Sequence, residues 1–222
     1  MHDGTNLQAS ASKLLKKDVF GRTDLVGTGA DAVVRRSTAE AARGVRWLAR
    51  LLMRREARAL ALLEDVDGIP QLVRLAPHSL DREFIAGVPM QLGQPRDPQY
   101  FKSAAKLVRR MHRCGVAHND LAKEPNLLVT DAGKPAVVDF QLASSAIHRG
   151  RLFRLLARED IRHLLKHKRT YCPEQLTARE RQILDSPSWL ARLWMKSGKR
   201  VYLFVTRRIM GWEDREGAGD RV

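Results

Sequence analysis

The longest amphipathic stretch of the chain is Thr38–Asp65. There Trp47, Leu48, Leu51, Leu52, Ala59, Leu60, Leu62 and Leu63 recur at three-to-four spacing, while Arg43, Arg46, Arg50, Arg54, Arg55 and Arg58 take the other positions. That period predicts a helix with one apolar face. A second helical pattern covers Asp97–Gly115, with Phe101, Ala104, Ala105, Leu107, Val108 and Met111 directed inward and Gly115 as the stop. Gly150–Lys168 reads as a third helix. Thr177–Asp185 reads as a fourth, capped by Thr177 with Glu180 placed to complete a capping box. Short apolar runs predict strands at Leu72–Leu75 and Leu80–Ile85, and at Asn126–Val129 and Ala136–Val138 on either side of the turn Asp131–Pro135. Leu25–Ser37 reads as a tight turn, Gly27-Thr28-Gly29, entering another strand. Ala9–Lys17 reads as a short basic helix. Toward the C-terminus, Val201–Thr206 fits strand and helix equally, and Glu213–Val222 is polar.

Composition adds three constraints. With 222 residues and a hydrophobic fraction of 44%, the chain suits one two-lobed domain or two small ones with a sizeable core. Its 40 Lys and Arg against 25 Asp and Glu give a net charge of +15, which favours phosphate-rich partners: nucleotides, RNA or an anionic membrane face. The two cysteines, Cys114 and Cys172, form no CxxC or Cys/His cluster, so neither a zinc site nor a disulfide framework is expected. The first residues lack the apolar centre of a signal peptide, and no apolar run approaches the roughly 20 residues of a membrane span. A cytoplasmic location is therefore expected, peripheral at the inner face of a membrane if the tail binds lipid. That tail, Ser188–Trp212, interleaves Trp189, Trp194, Tyr202, Phe204 and Trp212 with arginines and lysines. It fits both an anionic membrane surface and a cover over a helical core.

The chemistry-bearing stretch is His118–Ala143. It sets Asp120, Asn126 and Asp139 at the ends of two short paired strands. Two carboxylates and an amide at one edge suit Mg²⁺, a hard cation that takes oxygen ligands and shares its shell with phosphates and water.

In this stretch His118-Asn119-Asp120-Leu121 resembles the HRDL motif of the protein-kinase-like superfamily, Asn126 its downstream Asn, and Asp139-Phe140-Gln141 the DFG motif. The resemblance implies ATP and Mg²⁺ as cofactors, proton acceptance from a substrate hydroxyl at Asp120, and metal binding at Asn126 and Asp139. It further implies Lys123 near the γ-phosphate, Gly27 and Gly29 in the phosphate-covering turn, and Glu56 as the helix carboxylate that pairs with a phosphate-binding cation. Ala32-Val33-Val34-Arg35 resembles the VAIK strand, which puts that cation at Arg35 rather than Arg36. Glu83-Phe84-Ile85 resembles the linker of small atypical kinases and aminoglycoside phosphotransferases, where backbone groups of Glu83 and Ile85 would hold adenine. Three departures stand out: Asn119 replaces Arg, Gln141 replaces Gly, and Asp120 to Asn126 takes six steps where the kinase pattern takes five.

No activation segment or APE motif follows Ala143. In this respect the chain resembles RIO kinases and lipopolysaccharide-core sugar kinases. The implied fold is α+β and two-lobed. Residues 1–86 would form an N-lobe of antiparallel sheet and C-helix, and residues 87–222 a reduced, mainly helical C-lobe. The implied function is transfer of the ATP γ-phosphate to a protein Ser/Thr hydroxyl. A sugar hydroxyl acceptor and a nucleotide-binding scaffold without turnover are the competing readings. Asp160, Arg162, His163, Lys166, His167 and Lys168 are expected to form a solvated helix face or a dock for an anionic substrate.

Overall fold

The computed structural model describes residues 12–186. The expectations for the tail at Ser188–Trp212, for Val201–Thr206 and for Glu213–Val222 fall outside them.

The N-terminal part is a five-stranded antiparallel sheet. Its strands are β1 (Ser12–Asp18), β2 (Gly21–Val26), β3 (Val33–Ser37), β4 (Leu72–Leu75) and β5 (Ser79–Glu83), in the order β1-β2-β3-β5-β4. β1 occupies most of the stretch read above as a basic helix. It pairs antiparallel with β2 from Ser12↔Val26 to Asp18↔Gly21, and this pairing overrides a weak local preference. Lys13, Lys16 and Lys17 lie on this outer strand, where charge discourages pairing with another chain.

Helix α1 (Arg46–Leu62) is preceded by a single 3-10 turn, Arg43–Val45, and is shorter than the amphipathic pattern that announced it. Thr38 cannot join it, because its backbone N–H and hydroxyl both donate to the His78 carbonyl (2.8 and 3.2 Å). The buried stripe is Ala49, Met53, Glu56, Ala57 and Leu60, a three-to-four repeat that includes a carboxylate. Trp47 is 67% exposed, and Leu51 and Leu62 are exposed as well. Of the bulky residues in the sequence pattern, Leu60 and Leu63 are buried, whereas Trp47, Leu51 and Leu62 flank the buried face.

The remainder is mainly helical: α2 (Met90–Gly93), α3 (Pro98–Arg113), α4 (Arg151–Tyr171) and α5 (Ala178–Asp185). Asp97 caps α3 by accepting from Gln99 N–H, and Thr177 and Glu180 form the expected capping box on α5. Two small sheets carry the loops that matter for chemistry. One orders β6 (Val88–Pro89), β8 (Leu127–Val129) and β9 (Pro135–Val137); the other pairs β7 (Val116–Ala117) with β10 (Ser144–Ser145). Gly115 is the hinge into β7. Its φ of +79° suits glycine, and a Cβ there would sit 2.5 Å from the Ala146 carbonyl oxygen. The main core surrounds α3, through Tyr100, Phe101, Ala104, Val108 and Met111, and also takes in Ala59 and Leu60 from α1 and Leu63 just beyond it. No helix among the described residues is long and apolar enough to cross a membrane.

Candidate active site

The loop after β7 is held from below by one buried carboxylate. Asp160 of α4 is fully buried and accepts from the backbone N–H groups of His118 (2.8 Å) and Asn119 (2.9 Å), and from His112 Nε2 (3.0 Å). A carboxylate with three donors fixes the loop's backbone while satisfying its own charge. This corrects the reading of the α4 charges as a solvated face or an anion dock. His167 and Lys168 are buried too; His167 Nε2 donates to the Leu121 carbonyl (2.8 Å), and Lys168 Nζ donates to both oxygens of Glu180 (2.8 and 2.7 Å).

His118 supports the loop from inside. It is fully buried, with its ring edge-on to Phe140 at 4.8 Å between centroids. Its Nδ1 accepts from Asp120 N–H (3.3 Å), which places the proton on Nε2, 3.0 Å from the Val138 carbonyl. One imidazole thereby ties the Asp120 backbone to the strand that delivers Asp139. Asn119 has φ of +67°, a conformation that Asn tolerates better than most residues, and its Nδ2 donates to Leu142 O and Ser144 Oγ, both at 2.8 Å.

The inserted residue does not separate Asp120 from Asn126. A 3-10 turn, Glu124–Asn126, takes up the extra length, and Glu124 accepts from the Tyr171 hydroxyl of α4 (2.9 Å). Asn126 Nδ2 donates to the Asp120 backbone carbonyl (2.9 Å) and to Asp120 Oδ2 (3.1 Å). Lys123 Nζ lies 3.2 Å from the same Oδ2. Burial pushes the Asp120 carboxyl above its ordinary pKa, against the opposing pull of Lys123 and Asn126.

Asp139 stands next to this group. Val138 N–H donates to Asn126 O (3.0 Å), and β8 pairs with β9, so the two metal-binding candidates sit at one end of the same hairpin. Asp139 has φ of +65°, a conformation costly for a residue other than glycine and concentrated at functional sites. Gln141, which stands where DFG has Gly, donates to Asp139 Oδ1 (2.7 Å). Burial acts to raise the Asp139 pKa, but the Arg36 charge, the Gln141 hydrogen bond and the Arg82 charge hold it below the ordinary carboxylate value.

The expected pairing of Arg35 with Glu56 does not occur. Arg35 lies on the opposite face of β3 from Glu56 and makes a bidentate pair with Asp81 of the neighbouring strand (2.7 and 2.8 Å). Arg36 points toward α1, with Nε 3.4 Å from Glu56 Oε2 and Nη2 3.9 Å from Asp139 Oδ1. Strand alternation allows only one of two consecutive arginines on that face, and the buried Val34 shares the face with Arg36. Sequence reading also missed Arg82 of β5, whose Nε is 3.2 Å from Glu56 Oε1. Glu56 is fully buried between the two guanidinium groups, yet neither of its oxygens has an aligned hydrogen bond. A carboxylate so placed compensates charge while leaving the outer N–H groups of both arginines available to a ligand.

Gly27 (φ +85°) and Gly29 (φ +64°) form the turn between β2 and β3, closed by Ala32 N–H donating to Gly29 O (3.3 Å). Glu83 and Ile85 lie where β5 runs out. Their side chains line a cavity of about 990 Å³ whose lining includes neither Asp120 nor Asp139. Glu83 N–H is taken by the Gln71 carbonyl (2.9 Å).

The donor set fits Mg²⁺ with a triphosphate. Asn126 Oδ1 and Asp139 Oδ2 have no hydrogen-bond partner among the described residues, and both are hard oxygen donors. No group of three His, Cys, Asp or Glu side chains suited to a metal occurs among the described residues; a metal held here would draw on Asn126 and Asp139 and take its other ligands from phosphate and water.

The model of the RIO domain matches residues 29–181, about two thirds of the chain, and takes in the site from Gly29 onward, with Gly27 just outside it. No curated protein matches the chain. The chain belongs to the RIO domain family, atypical protein kinases with a two-lobed, protein-kinase-like fold that transfer phosphate from ATP to a hydroxyl.

Proposed function

We propose that this chain is a Mg²⁺-dependent kinase acting on Ser or Thr hydroxyls of a protein. The observation that carries the reading is an unbroken run of contacts: Asp120 to Asn126, Asn126 to the Asp139 strand, Asp139 to Arg36, and Arg36 to Glu56. In this reading Asp120 orients the acceptor hydroxyl and takes its proton, and Lys123 stands beside it to balance charge on the transferred group. Asn126 and Asp139 present oxygens to Mg²⁺, which when bound neutralises phosphate charge. Arg36, ordered by Glu56 and assisted by Arg82, grips phosphate through its outer N–H groups.

Two arginines one residue apart then behave very differently. Arg36→Met lowers the transfer rate by about 10²-fold or more, the usual effect of losing one positioned charge donor. Arg35→Met leaves the rate close to wild type, because Arg35 is engaged with Asp81 on the far face. Initial rates of the two variants decide the matter, and the opposite ranking would return the role to Arg35.

The acceptor class is tested with γ-labelled ATP and a cell extract separated into protein, lipid and polysaccharide. Label recovered as phosphoserine or phosphothreonine, and lost in Asp120→Ala, is the expected result. Label confined to lipid or polysaccharide would replace the protein acceptor with a sugar hydroxyl.

A further inference from the structure

A groove of about 400 Å³ lies between α1 and β10, lined by Leu51, Arg54, Arg55 and Arg58 on one side and by Ser144 and Ser145 on the other. It shares no lining residue with the site formed by Asp120, Asn126, Asp139, Arg36 and Glu56. Arg54 and Arg58 are four residues apart on the helix, so they stand on one face, one turn above the other. Like charges at that spacing repel each other. Both arginines are exposed, neither has a carboxylate partner among the described residues, and no carboxylate lines the groove. Arg55 is already engaged: it donates to the carbonyls of Ala143 (3.0 Å) and Leu142 (3.1 Å), which pins the opposite wall under the other two arginines. Ser144 Oγ accepts from Asn119, and its own O–H remains a donor.

Two guanidinium forks, one serine hydroxyl from the β10 wall and no opposing acid make a cradle for a compact dianion with several acceptor oxygens. A phosphate has enough acceptor oxygens to engage both forks at once, whereas a carboxylate's two oxygens fill one fork and a chloride has a single acceptor atom. We propose that this groove binds a phosphate group through Arg54, Arg58 and the one hydroxyl of the Ser144–Ser145 pair that β10 turns toward it. The phosphate arrives either on a separate phosphate-bearing ligand or as an ester on one of the two serines. In the second case the serine oxygen bonds to the γ-phosphorus of ATP, the bond to the β–γ bridging oxygen breaks, ADP leaves and the hydroxyl proton is released. In both cases the phosphate ties α1, which carries Glu56, to the segment that follows Asp139.

The test is an amide NMR titration of the full-length, unphosphorylated protein with inorganic phosphate at constant ionic strength, repeated on Arg54→Gln/Arg58→Gln. Both substitutions are at exposed helix positions, and equal melting temperatures verify the fold. The expected result is saturable shifts at residues 54–58 and 144–145, with affinity about tenfold weaker or worse in the double variant, as loss of charge-assisted hydrogen bonds to phosphate predicts. Shifts that never saturate, or that are identical in the two proteins, would overturn the proposal. Mass spectrometry of the protein from its own cells then separates the sources: phosphate on Ser144 or Ser145 marks the ester, and unmodified serines mark a separate ligand. The titration needs no turnover, so its result is independent of the catalytic reading.

Discussion

Asp120→Ala lowers phosphoryl transfer by about 10³-fold, within the range that a positioned general base contributes, while ATP still binds within a few-fold of wild type. The expectation rests on geometry. The Asp120 side chain contacts Asn126 and Lys123 but forms no part of the arginine grip around Glu56. Binding and chemistry should therefore separate in this variant: the turnover number falls, and nucleotide affinity measured by titration does not. Asp120 must be ionised to take a proton, and burial raises its pKa. The acidic limb of the rate profile should accordingly lie above the range of an ordinary exposed aspartate and be missing from the residual rate of the variant. Unchanged transfer in Asp120→Ala would remove Asp120 from the mechanism.

Asp160→Ala is expected to be the most damaging substitution to the fold. It leaves the buried N–H groups of His118 and Asn119 without an acceptor and takes the partner from His112. Each buried donor left unsatisfied costs about 1–3 kcal/mol, so the loss is about 3 kcal/mol or more. For a chain of this size that corresponds to a melting temperature lower by about 6–12 °C. A thermal scan monitored by circular dichroism measures it. The companion change Lys166→Ala, on an incompletely buried part of the same helix, should move the transition little. Equal melting of wild type and Asp160→Ala would show that the loop is held by something other than this carboxylate.

The parts of the site that were legible in the sequence are those fixed by local spacing. His118, Asp120, Asn126 and Asp139 lie within a single loop and hairpin, so an apolar run, a turn and a second apolar run were enough to bring them together. The inserted residue was visible as a count, and its accommodation was not: the Glu124 anchor is a tertiary contact with Tyr171, 47 residues away. Arg36 was misjudged because a strand's alternation gives two faces without saying which one meets α1. That choice is made by β3 pairing with β5, where Asp81 occupies the outer face opposite Arg35. Arg82 carried no motif at all, and its role emerges only where β5 passes the buried Glu56. Asp160 looked like one charge in a charged run. Its distinguishing signal was modest: an acid at helical spacing with the apolar Phe153 and Leu164, which places it on the buried side of α4. β1 was read as a helix because an edge strand with several lysines lacks a clean two-residue alternation, and only its partner β2 reveals it.

Asp139 and its neighbours are proposed to form one Mg²⁺-nucleotide site. Calorimetric titration of ATP into wild type and Asp139→Asn, each with and without Mg²⁺, tests it most directly. Mg²⁺ is expected to strengthen ATP binding to the wild type, and the variant to lose about tenfold or more of that gain, as the loss of a metal ligand requires. Equal affinities in all four titrations, or a Mg²⁺ effect undiminished in Asp139→Asn, would contradict it.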